Sequence, residues 1–201
     1  MPKVKADMLK SLRAIFHKHQ NLCRPFAHST YPAFRVNFGT QTASYDHRDF
    51  NNAPGVPCAI TSIGNFDPTK GGHLILYDLK VVIEFPPGTT VLLPSGAFRH
   101  GNTPVGEGYT RSSFTQFCSG GLLRYVAYGL RNEEELEQGE KASILGDLNV
   151  QWQCIVGLFS LADELHKDRL AVDADRRKPS LKLKEIEVKR HNEELGANAH
   201  G

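Results

Sequence analysis

Between residues 34 and 118 the chain breaks into short β-like runs, FRVNFG, CAITSIGNF, GHLILYD, KVVIEF, TTVLLPS and RSSFTQFC, each closed off by Gly, Pro or a polar turn. Short strands at this spacing point to an all-β sandwich or barrel. The stretch FPPGTTVLL is a turn with a mechanism, because proline fixes one φ and glycine supplies the permissive position before the next strand. The longest apolar stretch, HLILYDLKVVIEF, is interrupted by charges well before membrane-spanning length, so no membrane partner is expected.

Helical patterns flank this region. Val4, Met8, Leu12, Ile15 and Phe16 recur at helical spacing with lysines between them, which predicts a helix on the core through about His19. After Asn132 the acidic stretch NEEELEQGEK reads as solvated surface. GDLNVQWQCIVGLFSLADELHKDRLAV then carries apolar residues at helical spacing and predicts a helix packed on the β core. The charged end, broken at Pro179, reads as a solvated helix and a frayed tail. The expected class is mainly β with flanking helices (α+β). A β core with its N-terminal helix spans residues 1–131, and a helical extension with a charged tail spans 132–201.

A net charge of +2 is too mild to identify a nucleic-acid binder. The four cysteines, Cys23, Cys58, Cys118 and Cys154, form no CxxC pair, which argues against both a zinc site and a compact disulfide framework. Reduced, packing cysteines suit an intracellular setting, cytoplasmic or nuclear. The N-terminus carries no apolar stretch with a small-residue cleavage site, so no secretory signal is expected.

Within SYDHRDFNNAPG, residues 44–55, His47 and Asp49 stand two positions apart. One reading is a polar turn with a satisfied histidine; the other is two-thirds of a metal site. Residues i and i+2 on an extended segment share a face, so both side chains can reach one ion. His100, after TTVLLPSG, supplies the third donor, from a strand expected to face His47 across the barrel. Two imidazoles and a carboxylate on one face are the usual chelate for non-haem Fe(II), leaving coordination positions open for a 2-oxo acid and O2. A basic residue must hold the far carboxylate of that acid. Arg111 offers a two-pronged guanidinium, and Ser113, on the same face by the i, i+2 rule, adds a hydroxyl.

The array HxD, a distant His and RxS some ten residues later resembles the Fe(II)/2-oxoglutarate-dependent dioxygenases, over about residues 34–128. Within that superfamily, HRDFNN, GGHLILYDL and PPGTTVLLPSGAFRHGN are most similar to the TET/JBP group, especially its fungal members. The resemblance implies a double-stranded β-helix, a jelly-roll core also found in cupins. It implies Fe(II), 2-oxoglutarate as cosubstrate and O2, with His47, Asp49 and His100 as iron ligands and no catalytic residue beyond them. Arg111, Ser113 and Asn37 become cosubstrate contacts. Arg48, Asn51 and Asn52 are assigned to the substrate side; Arg48 faces away from the ligands, towards Asp78 or a substrate phosphate. Gly71 and Gly72 permit close strand approach. The group oxidises 5-methylpyrimidines in nucleic acid, so DNA or RNA is the implied partner, and the lysines and Arg13 of the N-terminal helix offer phosphate contacts. Three other readings stay open: an oxygenase for a small metabolite or a protein side chain, a catalytically silent β-barrel binding module, and a cupin-like site with more histidines and no need of Arg111. The oligomeric state is not set by the sequence.

Overall fold

The structure, a computed structural model, describes residues 1–22, 25–26 and 29–177. It divides into two compact units. One is Val4–Phe159; the other joins Met1–Lys3 to the chain from Ser160 onward.

The larger unit is built on eight strands: β1 (Ala33–Asn37), β2 (Ser44–His47), β3 (Cys58–Asn65), β4 (Leu74–Leu76), β5 (Val81–Ile83), β6 (Thr90–Leu93), β7 (His100–Asn102) and β8 (Thr110–Phe117). They form two four-stranded sheets in the orders β1-β8-β3-β6 and β2-β7-β4-β5. Every pair of neighbouring strands is antiparallel. The chain crosses between the sheets at almost every connection, and only β4 and β5 form a local hairpin. This is the double-stranded β-helix, or jelly roll, and with the helices around it the class is α+β.

The core follows from strand alternation. Leu74 and Leu76 point to one face of β4 and pack with Phe85 and Leu93, while Ile60, Val91 and Phe98 close around them. Each such side chain contributes about 1.5–3 kcal/mol on burial. The N-terminal helix α1 (Pro2–Lys18) buries Val4, Met8, Leu9, Leu12 and Ile15, the face the sequence pattern marks out. Proline at its first position costs no intrahelical hydrogen bond. At its other end Lys18 Nζ donates to the Leu130 carbonyl, a cation at the negative end of the helix dipole.

The six sequence runs are β1, β3, β4, β5, β6 and β8. The remaining two, β2 and β7, lie outside those runs, and they carry the histidines. His100 does not face His47 across the barrel. Strand β7 is the immediate neighbour of β2, and the two histidines stand opposite each other in the ladder, with a register irregularity between Ser44 and His47. Gly101 makes this approach feasible, because a Cβ there would lie 2.8 Å from the Ser44 carbonyl oxygen and 3.1 Å from that of Tyr45. Gly71 plays the expected part elsewhere, with Pro104 O 2.6 Å from where its Cβ would be; Gly72 sits at φ +71°.

Helix α2 (Gly120–Ala127) is capped by Ser119, whose Oγ accepts from Gly121 N at 3.2 Å. The acidic stretch is a solvated 3-10 turn, Glu133–Glu135, anchored by buried Leu136, and runs into α3 (Gln138–Leu145). The single helix expected after residue 146 is two, α4 (Leu148–Gly157) and α5 (Leu165–Arg177). At the break, Leu158 N and Phe159 N bond back three residues to Ile155 O and Val156 O, a tightened last turn that stops the helix. Helix α4 sets Ile155 against Gly55, but Val150, Trp152 and Val156 stay exposed, so only part of its apolar surface is packed. In the smaller unit Lys3 Nζ pairs with Asp168 at 3.1 Å. From residue 178 on, the charged helix and tail expected from sequence lie outside the described residues.

Candidate metal centre and its cavity

His47 is the last residue of β2, His100 the first of β7, and Asp49 follows β2 by two residues. One potential ligand atom from each lies within 4.8 Å of the others. His47 Nε2 is 3.7 Å from Asp49 Oδ1, and His100 Nε2 is 4.0 Å from Asp49 Oδ2. The imidazole centroids are 4.4 Å apart.

Both rings are held in the same way. His47 Nδ1 lies 2.8 Å from the Tyr45 carbonyl oxygen, and His100 Nδ1 lies 3.0 Å from that of Phe98. A carbonyl only accepts, so each Nδ1 carries a proton, and in a neutral ring so held Nε2 presents a lone pair. Two nitrogen lone pairs and a carboxylate converging on one point repel each other unless a cation sits between them. Burial pushes the His100 pKa down, and the nearby His47 adds to this against the Phe98 hydrogen bond, so the neutral, ligating form is favoured. Two donors each about 2.1 Å from an ion and at right angles to it would stand about 3 Å apart. The two separations from Asp49 are up to 1 Å wider than this and the third lies within 4.8 Å, so side-chain rotations would draw the donors onto an ion. The residues therefore fit a three-ligand divalent cation with open positions.

Asp49 is anchored on several sides. Its N–H donates to Ser95 O at 3.0 Å, and its carbonyl accepts from Asn52 N at 2.8 Å. The Asn52 side-chain amide donates to Asp49 Oδ2 at 3.2 Å and lies 3.3 Å from both Cys58 Sγ and Ser95 Oγ. Asn52, expected at the substrate mouth, thus turns its amide group onto the carboxylate because the tight turn after Asp49 folds it back.

The donors belong to the second sheet. They share a cavity of about 410 Å³ with side chains of the first sheet, among them Arg111, Ser113 and Asn37. Arg111 is only 3% exposed. Its Nη1 donates to Thr42 O at 3.0 Å, and its Nε is buried with no hydrogen-bond partner among the described residues. Burial lowers its pKa, and it has no carboxylate partner among the described residues. An unpaired buried charge costs several kcal/mol. Ser113, two residues along the strand and 5% exposed, accepts at Oγ from Asn37 Nδ2 at 2.9 Å. These two stand opposite each other in the β1–β8 ladder. Thr42, which carries no sequence signal, is the residue that seats the arginine.

The charged neighbours of His47 pair with side chains other than the candidate donors. Arg48 pairs with Asp78 at 3.1 Å, one of the two destinations the sequence offers. Asp78 also accepts from Arg99 N at 2.8 Å, and that bond holds its carboxyl below the usual range, with Arg48 adding to the effect. Arg99 Nε donates to Asp46 at 3.1 Å. The residues flanking both histidines thereby clasp the two ligand strands from behind. Arg48 lines the cavity but its charge is engaged by Asp78. Asn51 also lines it, and its backbone carbonyl accepts from Gly120 N at 2.8 Å. Cys58, Cys118 and Cys154 are free thiols, and no described helix is long and apolar enough to cross a membrane.

No protein-family model matches the chain, and no curated protein does. Among solved structures it is similar to NgTET1 in complex with 5mC DNA, at 22% identity and a TM-score of 0.39, over 45% of this chain and 35% of that one. It is also similar to the viral collagen prolyl hydroxylase of Paramecium bursaria Chlorella virus-1 in its 2OG complex, at 15% identity and a TM-score of 0.28, over 53% of this chain and 68% of that one. The chain thus spans about a third of the length of NgTET1.

Proposed function

We propose that the protein is an Fe(II)/2-oxoglutarate-dependent dioxygenase. The observation that carries this reading is the buried Arg111, without a counter-ion among the described residues, in the same cavity as a His–Asp–His donor set. A metal site alone leaves that charge unexplained. A dicarboxylate that reaches the metal with one end and the guanidinium with the other accounts for both.

In this reading His47, Asp49 and His100 hold Fe(II). Arg111 and Ser113, with Asn37 behind the serine, hold the far carboxylate of 2-oxoglutarate. The bound iron supplies the oxidation: O2 gives one oxygen atom to a substrate C–H bond and the other to 2-oxoglutarate, which leaves as succinate and CO2. The chain binds and orients these partners and excludes water. The buried arginine keeps its charge for the carboxylate alone, and the carbonyls of Tyr45 and Phe98 keep both imidazoles in the ligating tautomer.

We further propose a substrate of the TET/JBP kind, a 5-methylpyrimidine in DNA or RNA, with the fungal members of that group as the relatives. The support is the HRDFNN and GGHLILYDL resemblance. At the cavity wall, Phe50 is 83% exposed beside Asn51 and is free to stack on a base. The volume also suits a small metabolite, so the assay must include both classes. Fe(II)-loaded protein without air should give a weak visible charge-transfer band on adding 2-oxoglutarate. With air, succinate release across methylated DNA, methylated RNA, peptides and metabolites identifies the substrate. Asp49→Ala should abolish the band and the turnover. Wild-type consumption of 2-oxoglutarate by that variant would refute the ligand assignment.

A further inference from the structure

Strand β5 is the outer strand of its sheet, paired with β4 on one side only. The backbone groups on its open side make no other backbone hydrogen bond among the described residues. Its three side chains are all apolar and all exposed: Val81 at 42%, Val82 at 63% and Ile83 at 38%. Leu79, just before them, is 52% exposed. Sheet edges in monomeric proteins are commonly blunted by a charge within the strand, a proline or a bulge. Here the strand itself has none of these, and the charges stand immediately outside it. Lys80 and Glu84 are exposed and form no ion pair among the described residues.

The order of these five residues, Lys-Val-Val-Ile-Glu, is self-complementary in the antiparallel sense. A second copy laid against the edge about a twofold axis at Val82 brings its Ile83 opposite Val81 and its Glu84 beside Lys80, which stands in the left-handed turn (φ +53°) immediately before the strand. The symmetry repeats both pairs. Parallel pairing in register would instead set lysine on lysine and glutamate on glutamate, which is destabilising. The hydrogen bonds follow the same symmetry. If the outward backbone groups are those of Val82, they bond its own copy reciprocally. If they are those of Val81 and Ile83, each bonds the other's counterpart.

We propose that β5 is a homodimerisation edge, pairing antiparallel with β5 of a second copy about Val82 and joining the two four-stranded sheets into one of eight strands. The contact is isologous, so it closes at two copies. Three residues a side fall below the roughly 1,200 Å² of a standard stable interface, so the association is weak and concentration-dependent.

The full chain, followed by sedimentation velocity and light scattering from about 1 μM to about 1 mM, should move from its 22.3 kDa monomer mass towards twice that value. Glu84→Lys sets Lys80 against a lysine at both ends of the contact, and Lys80→Glu sets glutamate against glutamate. Each should weaken association about tenfold, although they change net charge in opposite directions. The double variant Lys80→Glu/Glu84→Lys restores both pairs and should restore the dimer. Residues directly opposite in an antiparallel ladder have Cα atoms about 4.5–5.5 Å apart, within disulfide range. Val82→Cys should therefore cross-link to itself under mild oxidation faster than the parent chain does. A monomer across the whole range, a dimer indifferent to either single charge change, or a Val82→Cys chain that cross-links no faster than the parent would each overturn the proposal.

Discussion

Arg111→Met separates a structural arginine from a binding one. Methionine has nearly the volume of the buried arginine stem and carries no charge. Two terms set the effect on the unliganded protein. The variant loses the charge-assisted bond from Nη1 to Thr42 O, worth about 1.5–3 kcal/mol. Thr42 O is not orphaned, because Asn102 Nδ2 still donates to it at 3.2 Å. Against this loss stands the cost of a guanidinium only 3% exposed that has, among the described residues, an unpaired Nε and no counter-ion, several kcal/mol. The second term is the larger, so the substitution should stabilise the unliganded fold by about 1–2 kcal/mol. At about 2–4 °C per kcal/mol for a chain of this size, that raises Tm by several degrees. Cosubstrate binding should move the other way. Losing a two-pronged carboxylate clamp at about 1.5–3 kcal/mol per charged bond weakens 2-oxoglutarate about 100-fold or more. Thermal unfolding without ligand, and calorimetric titration of 2-oxoglutarate into Mn(II)-loaded protein, read the two effects separately. A variant that melts lower than the parent yet binds 2-oxoglutarate within twofold of it would show Arg111 to be a structural tether, and the dicarboxylate argument would fail.

Asn52→Ala removes the amide that steadies Asp49 Oδ2 and should lower divalent-metal affinity about 10- to 100-fold with little change in fold, measured by competition with a chromogenic chelator. At high pH, burial raises the Cys118 thiol to about 12 and the Tyr31 hydroxyl to about 12, so the unfolded chain releases their protons first. Their contribution to stability is complete below about pH 9 and is lost as pH rises towards 12. Cys118→Val should make the fall in Tm above pH 9 shallower, and an unchanged slope would remove Cys118 from this account.

Legibility in the sequence tracks apolar content. The runs that became β1, β3, β4, β5, β6 and β8 were visible because they carry apolar side chains in short, turn-bounded stretches, and Leu74 and Leu76 show the alternation that fills the core. The two strands that hold the histidines carry no such pattern. All four residues of β2 are exposed, and β7 is only His-Gly-Asn. The residue types and the i, i+2 spacing marked out the three candidate donors, which the structure brings together, but not their neighbourhood. Pairing of β2 with β7 is a long-range event with no local signature except Gly101, which is small because another backbone lies against it.

The same distinction divides the cavity. Arg111 and Ser113 could be named from a strand pattern, because two residues on one face of β8 need only their own spacing. What gives Arg111 its meaning is not local. Thr42, 69 residues away, seats the guanidinium, and among the described residues no acidic side chain arrives to neutralise it. A sequence shows which charges exist, and a fold shows which of them are left without a partner. Asp46, Arg48, Asp78 and Arg99 resolve into mutual pairs behind the ligand strands, so their charges are satisfied within the protein. Arg111 sits at comparable depth to His100, 3% against 5% exposed, and has no such answer among the described residues. The cavity that joins it to the candidate donors is lined by both, and on the proposed reading a dicarboxylate would bridge the guanidinium and the metal.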